Sequence, residues 1–293
     1  MHGWIILDKP YGMGSTTAVS AVKRILLQAG YGKIKVGHGG TLDPLATGML
    51  PIAVGEATKL AGRMLDADKV YEFTIQFGVE TDTLDAEGKV VASSDVRPGW
   101  VEIEDVLPRF TGPIRQRPPA FSALKVEGKR AYDLARAGGD VVLAERAVEI
   151  KALTIIETTP DTLTLSTTVS KGTYIRSLAR DIAHALGTVG HVTILRRIKA
   201  GPFSLNQTIL LDFLEEAAKR GALAEHILPL RTALADIPVL ALTPEQATAL
   251  KQGKVLAGIE APDGLNFAQL DDVPTALVMA SHGEIRVERG FNL

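Results

Sequence analysis

The sequence has no cysteine in its 293 residues, which removes disulfides, thiolate nucleophiles and cysteine-ligated zinc from its chemistry. Long apolar runs are missing too: none approaches the roughly 18 residues that a membrane span needs. The N-terminal MHGWIILDKPYG reaches an aspartate and a proline too early for the apolar stretch of a secretory signal. A cytoplasmic protein with no membrane association is expected. Six histidines are present, but they form no close His or His/carboxylate pair of familiar metal-site spacing, so a mechanism without metal is expected. Neither low complexity nor an internal repeat is visible.

What is present is ordinary in amount and unusual in arrangement. Hydrophobic content of 46% and charged content of 23% suit a folded globular chain and speak against disorder. The net charge of −2 argues against a general nucleic-acid binder, yet the charges are segregated. Residues 109–136 and 171–201 each carry a net +5, whereas residues 66–105 carry −8. A chain so divided can turn one basic face to a polyanion. Solvated loops would give the same count.

Periodicity predicts a first helix over Ser15 to Gln28, with Val19, Val22, Ile25 and Leu26 at helical spacing behind Ser/Thr residues suited to capping. Val70 to Phe77 alternates as a half-buried strand does, with Tyr71, Phe73, Ile75 and Phe77 on the apolar face. A second alternating run, Leu163 to Val169, leads into KGTYIRSLARDIAHALG, where Ile175, Leu178, Ile182 and Leu186 make a helical stripe closed by Gly187. Further helix is expected from about Leu210 to Ala235. Strands and helices mix without regular βαβ alternation, which points to an α+β fold. Residues 1–237 read as the main domain, with a basic insertion at about 109–145. Residues 238–293 read as a small β-rich module, near the lower size limit for independent folding and so expected to dock on the main body.

The segment GHGGTLDPLATGMLP, residues 37–51, sets one carboxylate, Asp43, among four glycines. Asp-Pro restricts Asp43 to extended geometry and could mark a helix N-cap. The glycines favour a functional reading, because they let backbone approach a ligand closely at an entropic cost. His38, in the same glycine frame, could be structural or could swing into a polynucleotide. Arg176 lies just inside a predicted helix N-terminus, where the macrodipole disfavours a cation by several tenths of a kcal/mol, so an anionic partner is expected. Tyr71 on its own reads as a core tyrosine, and Leu195 as a core leucine.

Ordered motifs along the chain then carry a resemblance. VGHGGTLDPLATGMLPIAVGEATK resembles the catalytic motif of the TruB-type family of bacterial tRNA pseudouridine-55 synthases. ILDKPYGMGST resembles the family's N-terminal motif, with Gly14 where a threonine is usual. QRPPAFSALKVEGKRAYDLAR resembles its basic insertion, KGTYIRSLARDIAHALG a further active-site motif, and TILRRIKAGPF the last of the set; together they cover about residues 5–205. The tail is weakly similar to a PUA-like RNA-binding module.

The resemblance implies the pseudouridine synthase fold, a mixed, largely antiparallel sheet flanked by helices around a central cleft. It implies isomerisation of uridine 55 in the T-loop of tRNA, without cofactor, by a monomer needing no protein partner. Asp43 would be the catalytic carboxylate and Arg176 its salt-bridge partner; Tyr71, Tyr174 and Leu195 would line the uracil slot. His38 would enter the RNA loop when the base is extruded. Arg115, Arg117, Lys125, Lys129, Arg130, Arg196 and Arg197 would hold RNA phosphates. An RNA-binding protein or folding chaperone with an inert site is a rival reading. A nucleoside hydrolase or glycosidase is another, disfavoured because only one carboxylate lies in the motif.

Overall fold

The computed structural model describes residues 1–122, 124–126, 128–136 and 143–293, the side chains of 125, 126, 129, 130, 133, 135 and 136 excepted. The chain opens with strand β1 (Gly3–Lys9), helix α1 (Ser15–Gln28), the short strand β2 (Val36–His38) and strand β3 (Thr47–Val54). Helix α2 (Ala61–Asp66) leads to β4 (Lys69–Phe77), the pair β5 (Val79–Thr81) and β6 (Val90–Ser93), helix α3 (Trp100–Val106) and β7 (Gly112–Gln116). A small hairpin, β8 (Lys125–Val126) and β9 (Lys129–Arg130), and helix α4 (Ala131–Arg136) precede the long β10 (Arg146–Thr158) and β11 (Thr162–Val169). Helix α5 (Ile175–Ala185), β12 (Gly190–Ala200), β13 (Phe203–Ser204), β14 (Ile209–Leu210) and helix α6 (Leu211–Lys219) complete the main body. The tail adds β15 (Val239–Ala241), helix α7 (Pro244–Lys251), β16 (Leu256–Ala257), β17 (Gly264–Leu270), β18 (Val273–Ser281) and β19 (Glu284–Gly290).

The large sheet runs β14-β1-β3-β12-β4-β11-β10-β7, with β2 added to β3 and β13 to β12. The β1–β14 and β3–β12 pairs are parallel and the other pairs antiparallel. This is the mixed, largely antiparallel α+β architecture expected from the sequence. Alternation decides which strand face is buried: Phe73, Ile75 and Phe77 on β4, and Leu163, Leu165, Thr167 and Val169 on β11. Helix α1 lays Ala18, Val22, Ile25 and Leu26 into the same core, each large side chain contributing roughly 1.5–3 kcal/mol by burial. Helix α5 buries Ile175, Leu178 and Ile182 and stops before Gly187, whose φ of 73° terminates it. Among the described residues no helix is long and apolar enough to cross a membrane.

Two expectations change. Helix α6 ends at Lys219, and the stretch to Leu234 continues as two 3₁₀ turns, Leu223–His226 and Leu230–Leu234. Gly221 at φ 73° and Pro229 interrupt the helical pattern there. Ser15 does not cap α1: Gly14 holds the N-cap position, and Ser15 Oγ is diverted to the backbone of Leu42, donating to its carbonyl at 2.9 Å and accepting its N–H at 2.8 Å.

The tail forms a five-stranded sheet, β15-β17-β18-β19-β16, with α7 against it and a small core of its own around Leu240, Leu250, Ala276, Val278 and Ile285. Its other apolar face does not stand free. Phe267, Leu277 and Phe291 join Trp4, Ile6, Phe203 and Leu230 of the main body in one buried cluster. Lys59 donates to the Gly290 carbonyl at 2.8 Å, and Glu56 accepts the Asn292 N–H at 2.7 Å. Truncating Phe267 empties the centre of this joint cluster. Phe267→Ala should therefore cost about 3–5 kcal/mol, read as a lower urea midpoint with unchanged far-UV circular dichroism before the transition.

Candidate active site

Residues 39–46 link β2 to β3 and carry Asp43. No helix follows Asp43; Pro44 and Leu45 form a turn closed by the Ala46 N–H on the Asp43 carbonyl at 3.1 Å, so the N-cap reading fails. Two of the glycines here, Gly39 and Gly48, are required by the protein's own packing. A Cβ on Gly39 would meet Met64 at 2.6 Å, and one on Gly48 (φ 94°) would lie 2.3 Å from the Arg197 carbonyl. Their absence of side chain lets the loop and β3 press against α2 and β12.

Buried cations hold the loop in place. Arg197, 1% exposed, donates from Nε to Met49 O at 2.7 Å, from Nη1 to Thr41 O at 3.3 Å and from Nη2 to Gly40 O at 3.1 Å. Fully buried Lys9 donates to the carbonyls of Pro10, Met13 and Pro44, the last at 3.1 Å. With Ser15 on Leu42, almost every residue flanking Asp43 is tied to β1, α1 or β12.

Helix α5 brings the partner. Arg176 is the second residue of α5, and its guanidinium is nearly sealed from solvent. Nε lies 2.8 Å from Asp43 Oδ2; Nε makes no aligned hydrogen bond, so the contact is an oblique charge pair. Nη1 donates to Thr83 O at 2.8 Å and sits 3.3 Å from Asp85 Oδ2, while Nη2 donates to Phe121 O at 3.0 Å. Asp85 was not singled out in the sequence. Its side chain is 4% exposed and already accepts from Thr83 Oγ1 at 2.5 Å and the Glu87 N–H at 3.0 Å. A carboxylate so enclosed positions Arg176; it cannot serve as the exposed proton donor of a glycosidase. Gln116 was also missed: fully buried, it receives the Tyr174 N–H at 2.7 Å and donates to the Tyr174 carbonyl at 3.0 Å, fixing the start of α5. Only contacts far apart in sequence reveal either role.

Asp43, Tyr71, Tyr174, Leu195 and Arg176 line one cavity of about 180 Å³ with Thr41, Leu42, Ser122, Thr173 and Ile175. It is smaller than the roughly 300–1,000 Å³ of drug-sized ligand pockets and suits a single ring. A larger cavity of about 740 Å³ lies elsewhere, bounded by Arg63, Asp68, Lys199 and Asp236; it has an Arg63–Asp236 pair of its own at 3.1 Å but no aromatic side chain in its lining. Tyr71 projects from β4 beside β12, opposite Arg197 in register, and its hydroxyl lies 3.5 Å from Arg197 Nη1. Leu195, two residues earlier on β12 and 5% exposed, closes another wall.

The remaining assignments separate. His38 sits at the end of β2, backbone-paired opposite Ile52, with Nδ1 buried and unpartnered; its frame is a strand, not a loose loop. Burial, then the charge of Arg197, pushes its pKa below 6.5 and keeps the ring neutral at pH 7. Arg115 and Arg117 are exposed, each 3.4 Å from Glu145. Arg196 makes a two-pronged pair with Asp8 at 2.7 and 3.1 Å. Arg197 is not a surface residue: its guanidinium is sealed under the loop with its donors on carbonyls, so toward a phosphate it can offer charge rather than a free N–H. The side chains of Lys125, Lys129 and Arg130 lie outside the described residues.

Comparisons with known proteins bear on this arrangement. The family model of the TruB family pseudouridylate synthase N-terminal domain matches residues 23–175. The tRNA pseudouridylate synthase B C-terminal domain matches residues 176–235. A tRNA pseudouridine synthase B of Novosphingobium aromaticivorans is 63% identical over 299 residues, covering 100% of this chain and 98% of the relative. That of Zymomonas mobilis is 57% identical over 292 residues, covering 100% and 96%. Among solved structures, an H/ACA RNP bound to a substrate RNA containing 2′-deoxyuridine is similar with a TM-score of 0.75 at 26% identity, over 99% of this chain and 85% of that one. A Cbf5-Nop10-Gar1 complex gives 0.73 at 27%, over 99% and 85%.

The buried lysines generate a pH dependence. Burial chiefly, and Arg197 in addition, pull Lys9 and Lys69 from 10.5 to about 8; Asp43 opposes the shift at Lys9, as Asp66 and Asp68 do at Lys69. Below pH 8 both states of the chain carry these protons. Between about 8 and 10.5 the unfolded chain binds more, so this contribution to stability rises with pH. Urea unfolding at pH 7.5, 8.5 and 9.5 should show a gain that shrinks in Lys9→Met and Lys69→Met; equal pH slopes in wild type and both variants would refute it.

Proposed function

The chain belongs to the TruB family of pseudouridylate synthases, and from that premise we propose that it isomerises uridine 55 in the T-loop of tRNA to pseudouridine. The observation that carries this reading is the Asp43–Arg176 pair, 2.8 Å apart, opening on a slot walled by Tyr71, Tyr174 and Leu195. The N1–C1′ bond breaks, the uracil turns, and a C5–C1′ bond forms. The proton lost from C5 is matched by the one gained at N1, so neither cofactor nor water is consumed. Asp43 is the carboxylate that acts at the sugar or the base. Arg176 holds it toward the slot through charge, and Asp85 and the Thr83 and Phe121 carbonyls hold Arg176. Tyr71 and Tyr174 give the detached base aromatic faces, and the apolar walls exclude water that would hydrolyse the intermediate.

A uridine inside a folded loop must be extruded to reach this slot, at a cost of a few kcal/mol. Neutral, half-buried His38 beside the loop fits the role of filling the vacated space. Exposed Arg115 and Arg117, and Arg196 to a lesser degree, face outward as phosphate contacts, so affinity should fall with salt. Residues 238–293 are read as a PUA-like RNA-binding module docked on the catalytic domain, and the enzyme as a cytoplasmic monomer acting without a protein partner.

Asp43→Asn should abolish pseudouridine formation in unmodified tRNA while binding stays within about tenfold, roughly 1.4 kcal/mol. Mass-labelled mapping of the product checks this, and undiminished turnover would remove the catalytic assignment. Tyr71→Phe should lower kcat more than affinity. Equal losses in both would return Tyr71 to a packing role.

A further inference from the structure

Three cations stand together without an ion-paired acid among the described residues. Lys69 is 7% exposed and Arg197 1%. Among the described residues, neither these two nor Arg146 has a carboxylate within the 4.0 Å of an ion pair, and the nearby Asp66 and Asp68 are engaged by Lys171 and Lys151. Lys69 donates two N–H hydrogen bonds, to the carbonyls of Leu65 and Ala67, each at 2.6 Å. Arg197 is satisfied by neutral carbonyls, which leave its charge unbalanced. The Arg146 guanidinium lies over the Tyr174 ring, 4.7 Å from the centroid, and donates to the Gly172 carbonyl; its Nε is buried without a partner. Burying uncompensated charge is expensive, and the fall of Lys69 to about 8, through burial and then Arg197, expresses that cost.

All three side chains line one open cavity of about 290 Å³, whose lining includes the Ser170 and Thr173 residues and no acid. Thr41, Tyr71, Thr173 and Tyr174 line both this cavity and the Asp43 slot. The two spaces are therefore neighbours across an aromatic wall. An arginine fork, an ammonium and the Ser170 hydroxyl form a donor set suited to a tetrahedral oxyanion, while the Thr173 hydroxyl is already given to the Ser170 carbonyl at 3.0 Å.

We propose that the cavity lined by Lys69, Arg146 and Arg197 is a phosphate subsite, which takes a backbone phosphodiester flanking the nucleotide whose base enters the Asp43 slot. This rests on the reading of that slot as the uridine pocket. The bound strand would supply the counter-charge that the folded protein lacks, and would fix the sugar against Asp43 through a contact independent of the base.

The test uses the full chain and a hairpin RNA containing the target uridine, with one or the other flanking linkage replaced by a neutral methylphosphonate. Affinity is read by filter retention over a salt series. One of the two neutral linkages should weaken wild-type binding about tenfold and reduce the salt slope by about 0.7. In Arg146→Met the same linkage should matter less than about twofold, and Arg146→Lys should recover part of the sensitivity. Wild type indifferent to both linkages would overturn the proposal. So would a penalty carried undiminished into Arg146→Met and Lys69→Met, or inorganic phosphate competing equally with substituted and unsubstituted RNA. Product formation from the unsubstituted hairpin is followed in the same samples. Its absence would overturn the isomerase reading alone, since the linkage comparison is made on binding.

Discussion

Solvation of buried cations by backbone carbonyls is the constraint on which the site depends. Among the described residues Lys9 and Arg197 pair with no carboxylate, and the carbonyls of Pro10, Met13, Gly40, Thr41, Pro44 and Met49 take the place of water around them. Such carbonyls cannot rotate away without stranding a charge, so the segment that carries Asp43 is fixed more tightly than a loop of glycines would suggest. Gly39 and Gly48 belong to the same arrangement, because they allow the close packing that brings those carbonyls within reach.

Arg176 extends this logic from one loop to three. Its guanidinium meets Asp43, Asp85, the Thr83 carbonyl and the Phe121 carbonyl, which come from segments more than thirty residues apart. Gln116 and Ser177 reinforce the junction by bonding the Tyr174 backbone and the Arg117 carbonyl. The start of the basic insertion is thereby joined to the helix that presents Arg176. Rigid support of this kind fixes the direction in which the Asp43 carboxylate points.

The sheet supplies the remaining geometry. β4 and β12 are antiparallel neighbours with Tyr71 opposite Arg197 and Phe73 opposite Leu195, and side chains of adjacent strands on one face stand close enough to form a wall. The parallel contact of β12 with β3, Arg197 opposite Gly48, then sets the Asp43 loop over that wall. Tyr174 and Arg146 complete it from the far side, with the cavity of about 290 Å³ behind the aromatic rings.

Local pattern alone settled the elements whose burial repeats along the chain: α1, β4, β11 and α5 follow from periods of 3.6 and 2, because a side chain's face is set by its backbone. Motif order pointed to Asp43, Arg176, Tyr71, Tyr174 and Leu195, and these five do line one cavity. What the linear pattern could not decide is which polar groups face inward. Arg196 and Arg197 are adjacent and alike in sequence, yet one pairs with Asp8 near the surface and the other is sealed under the loop, since neighbouring residues on a strand point to opposite faces. Asp85, Gln116, Lys9 and Lys69 drew no functional reading for the same reason. Their roles arise from burial and from partners tens of residues away, and only the folded chain determines those.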